Sequence, residues 1–119
     1  MSESDEQKGA ETSNTAGPKY TIIARFEAKP GCEDELREIL LETARYALAE
    51  EPSCERFEIL QATDEDGRPM PNVFMTNELF HDFDGVEAHR GSWRTPIRID
   101  RLRPLRVASR IEHAILLTD

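Results

Sequence analysis

Beyond residue 18 the spacing of apolar and polar residues changes several times, and each change marks an element. Residues 20–27 alternate, with Tyr20, Ile22, Ala24 and Phe26 on one face, which predicts a strand. Thr21 and Ile23 leave its other face fit for burial too. Pro30-Gly31 ends the strand, and Glu33, Asp34 and Glu35 then put negative charge where a helix's first turn favours it. Leu36, Ile39, Leu40, Thr43, Ala47 and Leu48 recur every three or four residues, predicting a helix to about Glu50 that Pro52 stops. Residues 54–61 return to a strand, with Phe57 and Ile59 on one face. Turn formers and charges fill 62–72, which reads as an exposed hairpin loop. A third strand follows at 73–80, with Phe74, Thr76, Glu78 and Phe80 on one face and Val73, Met75, Asn77 and Leu79 on the other. Asp82 is placed to cap a helix running to about Gly91. Thr95-Pro96 reads as a cap with proline at the first helical position, opening a short helix that ends near Pro104. Residues 109–117 close the chain as a fourth strand.

The order β-α-β-β-α-β is that of an α+β, ferredoxin-like sandwich. Two helices cover one face of a four-stranded sheet. Because these strands carry apolar residues on both faces, the other face calls for a cover, and a second copy of the chain supplies one. The expected assembly is a homodimer through the sheet face.

Composition narrows the partners. The chain has 119 residues and a formal net charge of -9. So acidic a protein is a poor binder of nucleic acid or of anionic membrane, and no apolar run approaches the ~20 residues of a membrane helix. Residues 1–18 hold no aromatic residue and no Val, Ile or Leu, and carry a net charge of -3. Too little apolar surface is present there to offset the ordering entropy, so a disordered acidic tail is expected, with the domain at 19–119. Cys32 and Cys54 flank the predicted long helix, which holds them ~25–30 Å apart, far beyond disulfide reach. Two separate thiols fit a reducing cytoplasm.

Four segments resemble the antibiotic biosynthesis monooxygenase family, small dimeric α+β barrels that include quinol monooxygenases. They are Lys29-Pro30-Gly31 after the first strand, Glu51-Pro52-Ser53-Cys54 before the second, Glu78 late in the third, and the run from Asp82 through Ala88-His89 to Ser92. Ser53 departs from the family's usual glycine. The resemblance implies one pocket per subunit between sheet and helices. It also implies oxidation of phenolic or quinol-like substrates by O2 without metal or flavin. Relatives that degrade haem use an Asn on strand one, a Trp ending strand three and a ligating His in the later helix. Here those positions align with Ala24, Phe80 and Ile99, which supply no axial ligand.

His81, His89 and His113 are far apart in sequence and form no metal-ligand motif. No Gly-rich phosphate loop follows a strand. No cofactor is therefore expected. Glu78 lies on an apolar strand face, where desolvation raises a carboxyl pKa. His89 is its best partner, able to take a proton from a phenol. Both are the candidate catalytic residues, against the alternative that they cap backbone groups at the strand–helix corner. Phe57, Phe74, Phe80 and Trp93 are the candidate substrate-binding residues, with an aromatic small molecule as the expected substrate. Plain packing is the more common role for such a lone Trp beside a helix end. Asn77 and Arg25 point to the opposite face, His81 reads as a solvated turn residue, and the face of His113 is open.

Arg90, Arg94, Arg98, Arg101, Arg103, Arg106 and Arg110 supply 7 of the 15 basic residues. They suit an anionic ligand or pairing with acidic groups of the first helix or a partner subunit. Two further functional readings stand beside the monooxygenase. One is a non-catalytic dimeric binding module for a small ligand. The other is an isomerase of a small phosphorylated metabolite.

Overall fold

A computed structural model of the chain describes residues 17–118. The acidic tail expected at 1–18 lies outside them, apart from Gly17 and Pro18. The elements are β1 (Tyr20–Ala28), α1 (Glu33–Glu50), β2 (Cys54–Thr63), β3 (Pro69–Phe80), α2 (Phe83–Arg90), α3 (Arg94–Leu102), a 3₁₀ turn (Arg103–Leu105) and β4 (Arg106–Ile115). The sheet is antiparallel in the order β2-β3-β1-β4. This is the ferredoxin-like α+β arrangement that the apolar pattern predicts.

The hairpin is tighter than its composition suggests, because pairing extends to Thr63↔Pro69. Asp64 makes this possible by accepting from the backbone N–H groups of Asp66 and Arg68, while Gly67 takes φ +83°. Pro69 and Pro71 are tolerated because β1 pairs with β3 only from Val73 onward, so no ladder partner is lost on that side. At the other end β4 begins at Arg106 rather than Ser109, and it ends at Ile115.

α1 buries Leu36, Ile39, Leu40, Thr43, Ala44 and Ala47, whereas Leu48 faces solvent. Its stripe covers the inner face of β2 and β3. One core cluster joins Ala24, Phe26, Ala28 and Phe74 of the sheet to Leu36, Ile39 and Leu40 of α1. α2 is capped as its sequence requires, Asp82 accepting from the N–H of Gly85 at 2.9 Å. Val86 packs with Ile22 and Phe80 beneath it. Gly85 is obligatory there, since a Cβ would overlap the side chain of Ser53.

α3 departs from the predicted cap. Its N-cap is Trp93, with no side-chain capping bond, and Thr95 instead donates to the carbonyl of His89 at 2.8 Å, tying α3 to the end of α2. Only Leu102 of α3 is buried, so this helix roofs the β1–β4 side loosely. Among the described residues no helix is long and apolar enough to cross a membrane.

Candidate active site

Under that loose roof lies a cavity of about 450 Å³. Its floor is read directly from the sheet register. Ile22 of β1 pairs with Glu78 of β3 on one side and His113 of β4 on the other. The next inner-face row is Thr76–Ala24–Ile111, and the third ends in Phe26–Ser109. Ile99, Leu102 and Arg98 of α3 form the roof, and Phe57 closes the β2 side. The cavity is thus mostly apolar, with ionisable groups concentrated at the Ile22 row.

His89 is held there by three independent features. The last turn of α2 aims it inward, and its side chain is almost wholly buried. The rings of Phe80 and Phe57 pack against the imidazole at 5.3 and 5.8 Å. Its Nδ1 contacts Oε1 of Glu51 at 2.9 Å, while Nε2 faces Oε1 of Glu78 at 3.6 Å. With Glu51 ionised, Nδ1 carries the proton and Nε2 is left as a base turned toward Glu78. The 3.6 Å gap is too long for a hydrogen bond, so the ring, once protonated, acts on Glu78 through charge alone.

Glu78 is buried, and burial pushes its carboxyl above the ordinary carboxylate value. Thr76, donating to Oε2 at 2.7 Å, and the charges of His89 and Arg98 oppose that rise. A carboxyl so balanced can hold or release a proton at the cavity wall. Cys54 nearby is no nucleophile: burial, then Glu51 and Glu78, push its thiol up to about 11. Among the described residues no group of three or more His, Cys, Asp and Glu side chains could hold a metal ion. Glu51 and Glu78 meet opposite nitrogens of one ring, so they diverge rather than converge.

Of the residues singled out from sequence, Phe57, Glu78 and His89 come together on this cavity. Phe74 and Phe80 do not line it; they lie in the core under α1 and α2. Trp93 does not line it either. It is 66 % exposed and borders a separate small hollow with Glu42, Arg94 and Arg101. The reason in each case is reach. The two phenylalanines are roofed by helices that touch the sheet, and Trp93 precedes α3 on its outer side. His81 is exposed and pairs with Glu55, and Asn77 bonds Glu58 on the helix-free face. Glu51 was visible only as the start of Glu51-Pro52-Ser53-Cys54. Its role needs the spatial contact with His89, which no local pattern announces. Ala24 and Ile99 do line the cavity, and neither side chain can ligate haem iron.

A family model described as antibiotic biosynthesis monooxygenase matches residues 19–93, more than half of the chain. The chain belongs to that family. Among curated protein sequences no match was found. Solved structures extend the likeness of fold over the whole domain. PA3566 from Pseudomonas aeruginosa is 20 % identical with a TM-score of 0.73, over 88 % of this chain and 100 % of that one. NE2512 from Nitrosomonas europaea, a protein of unknown function, is 24 % identical with a TM-score of 0.72, covering 86 % and 92 %. A single-residue mutant of SnoaB, a cofactor-independent oxygenase from Streptomyces nogalater, is 18 % identical with a TM-score of 0.71, covering 87 % and 97 %.

Proposed function

We propose that this protein is a cofactor-independent monooxygenase of a hydroxylated aromatic substrate, acting with O2 as a cytoplasmic homodimer. The observation that carries the reading is the Glu51–His89–Glu78 array at one end of an apolar cavity of about 450 Å³. Family membership and the SnoaB likeness support the reaction type. Cys32 and Cys54, both free thiols, support the compartment. Ile23 and Leu60, exposed on the helix-free face, support a second copy there.

A phenol entering the cavity stacks against the aliphatic floor and brings its hydroxyl to the Ile22 row. His89 Nε2, or ionised Glu78, takes the phenolic proton, and Glu51 steadies the imidazolium that results. The phenolate is the electron-rich form that O2 attacks. For a quinol the reaction closes without an external reductant. The ring gives up two electrons in becoming a quinone and two more as a ring C–H becomes C–OH. One oxygen atom enters the ring, and the other leaves as water with two protons.

An oxygen electrode with a panel of hydroquinones tests this. The metal-free protein is expected to consume O2 only with substrate, and His89→Ala to slow turnover about 10²–10⁴-fold. No substrate-dependent uptake, or full activity in His89→Ala, overturns the reading.

A further inference from the structure

The seven arginines after His89 divide into two groups. Arg90 pairs with Glu87, Arg94 and Arg101 with Glu42, Arg103 with Asp100 and Arg110 with Glu112. Arg98 and Arg106 have no carboxylate within pairing distance among the described residues, and these two line the cavity. Both are half-buried. Burial lowers the Arg98 pKa against the pull of Glu78 and Glu51, so its charge is partly desolvated.

Arg106 reaches the cavity because of an irregularity in β4. Along that strand Ser109, Ile111 and His113 face inward, so strict alternation would turn residue 106 outward. The register shifts instead: Glu27 pairs with Ala108, yet Ala28 pairs with Arg106, which leaves Val107 as an extra residue. This bulge puts Arg106 opposite the inward-facing Ala28 and on the cavity side. From Ile22 to Ala28 the strand runs ~20 Å, so Arg106 rises from the far end of the floor from Glu78. Arg98 on the roof instead lies in the field of Glu78 and Glu51.

We propose that Arg106 forms the anion-binding end of this cavity, and that the substrate is an aromatic hydroxy-acid held by its carboxylate. The charge on the lining fits one negative group. Arg98 and Arg106 give two positive charges, Glu78 gives one negative within the field of Arg98, and Glu87 already neutralises Arg90, which leaves Arg106 uncompensated. A planar guanidinium takes a carboxylate through two parallel hydrogen bonds, so the pair fixes the orientation of the ring as well as binding it. The acid end lies toward Arg106 and the hydroxyl end toward Glu78 and His89. This deepens the monooxygenase reading and rests on the same cavity being the substrate site.

Isothermal titration of the full-length protein with gentisate, methyl gentisate and hydroquinone tests it. The acid and its ester differ in one charge and share the ring and both hydroxyls. Gentisate is expected to bind about tenfold to a hundredfold tighter than its ester, the range for hydrogen bonds to a charged group. Arg106→Met is expected to remove that preference while leaving ester binding in place. Circular dichroism and melting temperature confirm that each variant is folded, and Arg106→Lys, which keeps the charge but not the fork, should restore part of the preference. Equal affinities for acid and ester overturn the proposal. So does a preference that survives Arg106→Met, or the absence of binding by all three compounds. An arginine-dependent preference without O2 consumption upholds the site and refutes the monooxygenase. O2 consumption on hydroquinone with no acid preference does the reverse.

Discussion

The two halves of the inner sheet face share one hydrogen-bonded ladder and differ in almost everything above it. On β3, Phe74, Thr76, Glu78 and Phe80 are all buried. On β4, Ser109, Ile111, His113 and Ile115 occupy equivalent inward positions, and all are exposed. The strands do not cause the difference, since each pairs in register over eight or more residues. The roof does. α1 runs 18 residues across β2 and β3, whereas α3 runs 9 residues and buries only Leu102. Where the roof touches the sheet the molecule has a core. Where it stands off, the same sheet becomes the floor of a site.

Substitutions can break this contrast, and the largest effect is expected in the covered half. Phe80→Ala should cost about 3–5 kcal/mol in denaturant unfolding, as its fully buried ring leaves a cavity beneath Val86 and His89. The equivalent truncation in the open half, Ile111→Ala, should stay within about 0.5 kcal/mol under conditions that keep the chain monomeric. Similar costs at both sites would show that the β4 side is packed after all.

Next in size is Gly85→Ala, which forces a methyl group into Ser53 and should cost about 1–3 kcal/mol. Asp82→Ala should remove about 1 kcal/mol with the lost N-cap bond of α2. Both loosen the helix that carries His89, so turnover should fall more steeply than stability does.

The smallest effect is also the most specific, because it depends on pH. Burial raises the Glu78 carboxyl, so the folded state favours its protonated form. Its contribution to stability is present in full below the ordinary value of 4.5 and is lost as pH rises through the folded pKa. Glu78→Gln removes that dependence while keeping an acceptor for Thr76. The variant should melt with the wild type in acid and above it at neutral pH, by calorimetry, while its turnover is lost. A wild type that gains on the variant with rising pH would mean that His89 and Arg98 outweigh burial, leaving the site end ionised.

How much of this was legible in the sequence varied with the range of the interaction. β1 and α1 were readable to within a residue, since alternation and a three-to-four spacing each report a local geometry. The hairpin and the start of β4 were not. Pro69, Pro71 and the charged residues Asp64, Glu65, Asp66 and Arg68 before them look like loop until pairing with a neighbouring strand is known. Glu78 and His89 could be named because an acidic residue on an apolar strand face is conspicuous by itself. Glu51 could not, because its meaning comes from a contact across 38 positions. The arginines show the limit most clearly. As a cluster they were obvious, but which of them lack partners depends on where Glu42, Glu87, Asp100 and Glu112 fall in space. Arg106 further depends on a one-residue shift that no composition reveals.

Ser53 and Gly85 have a consequence of another kind. Ser53 occupies the space a side chain at 85 would need, and its carbonyl and hydroxyl oxygens both accept from the N–H of His81. The two positions are therefore epistatic. A chain with glycine at 53 is free to vary at 85, whereas this one has exchanged that freedom for a fixed corner between β2, β3 and α2. Mutational scans should find position 85 intolerant here but permissive once Ser53 is replaced by glycine.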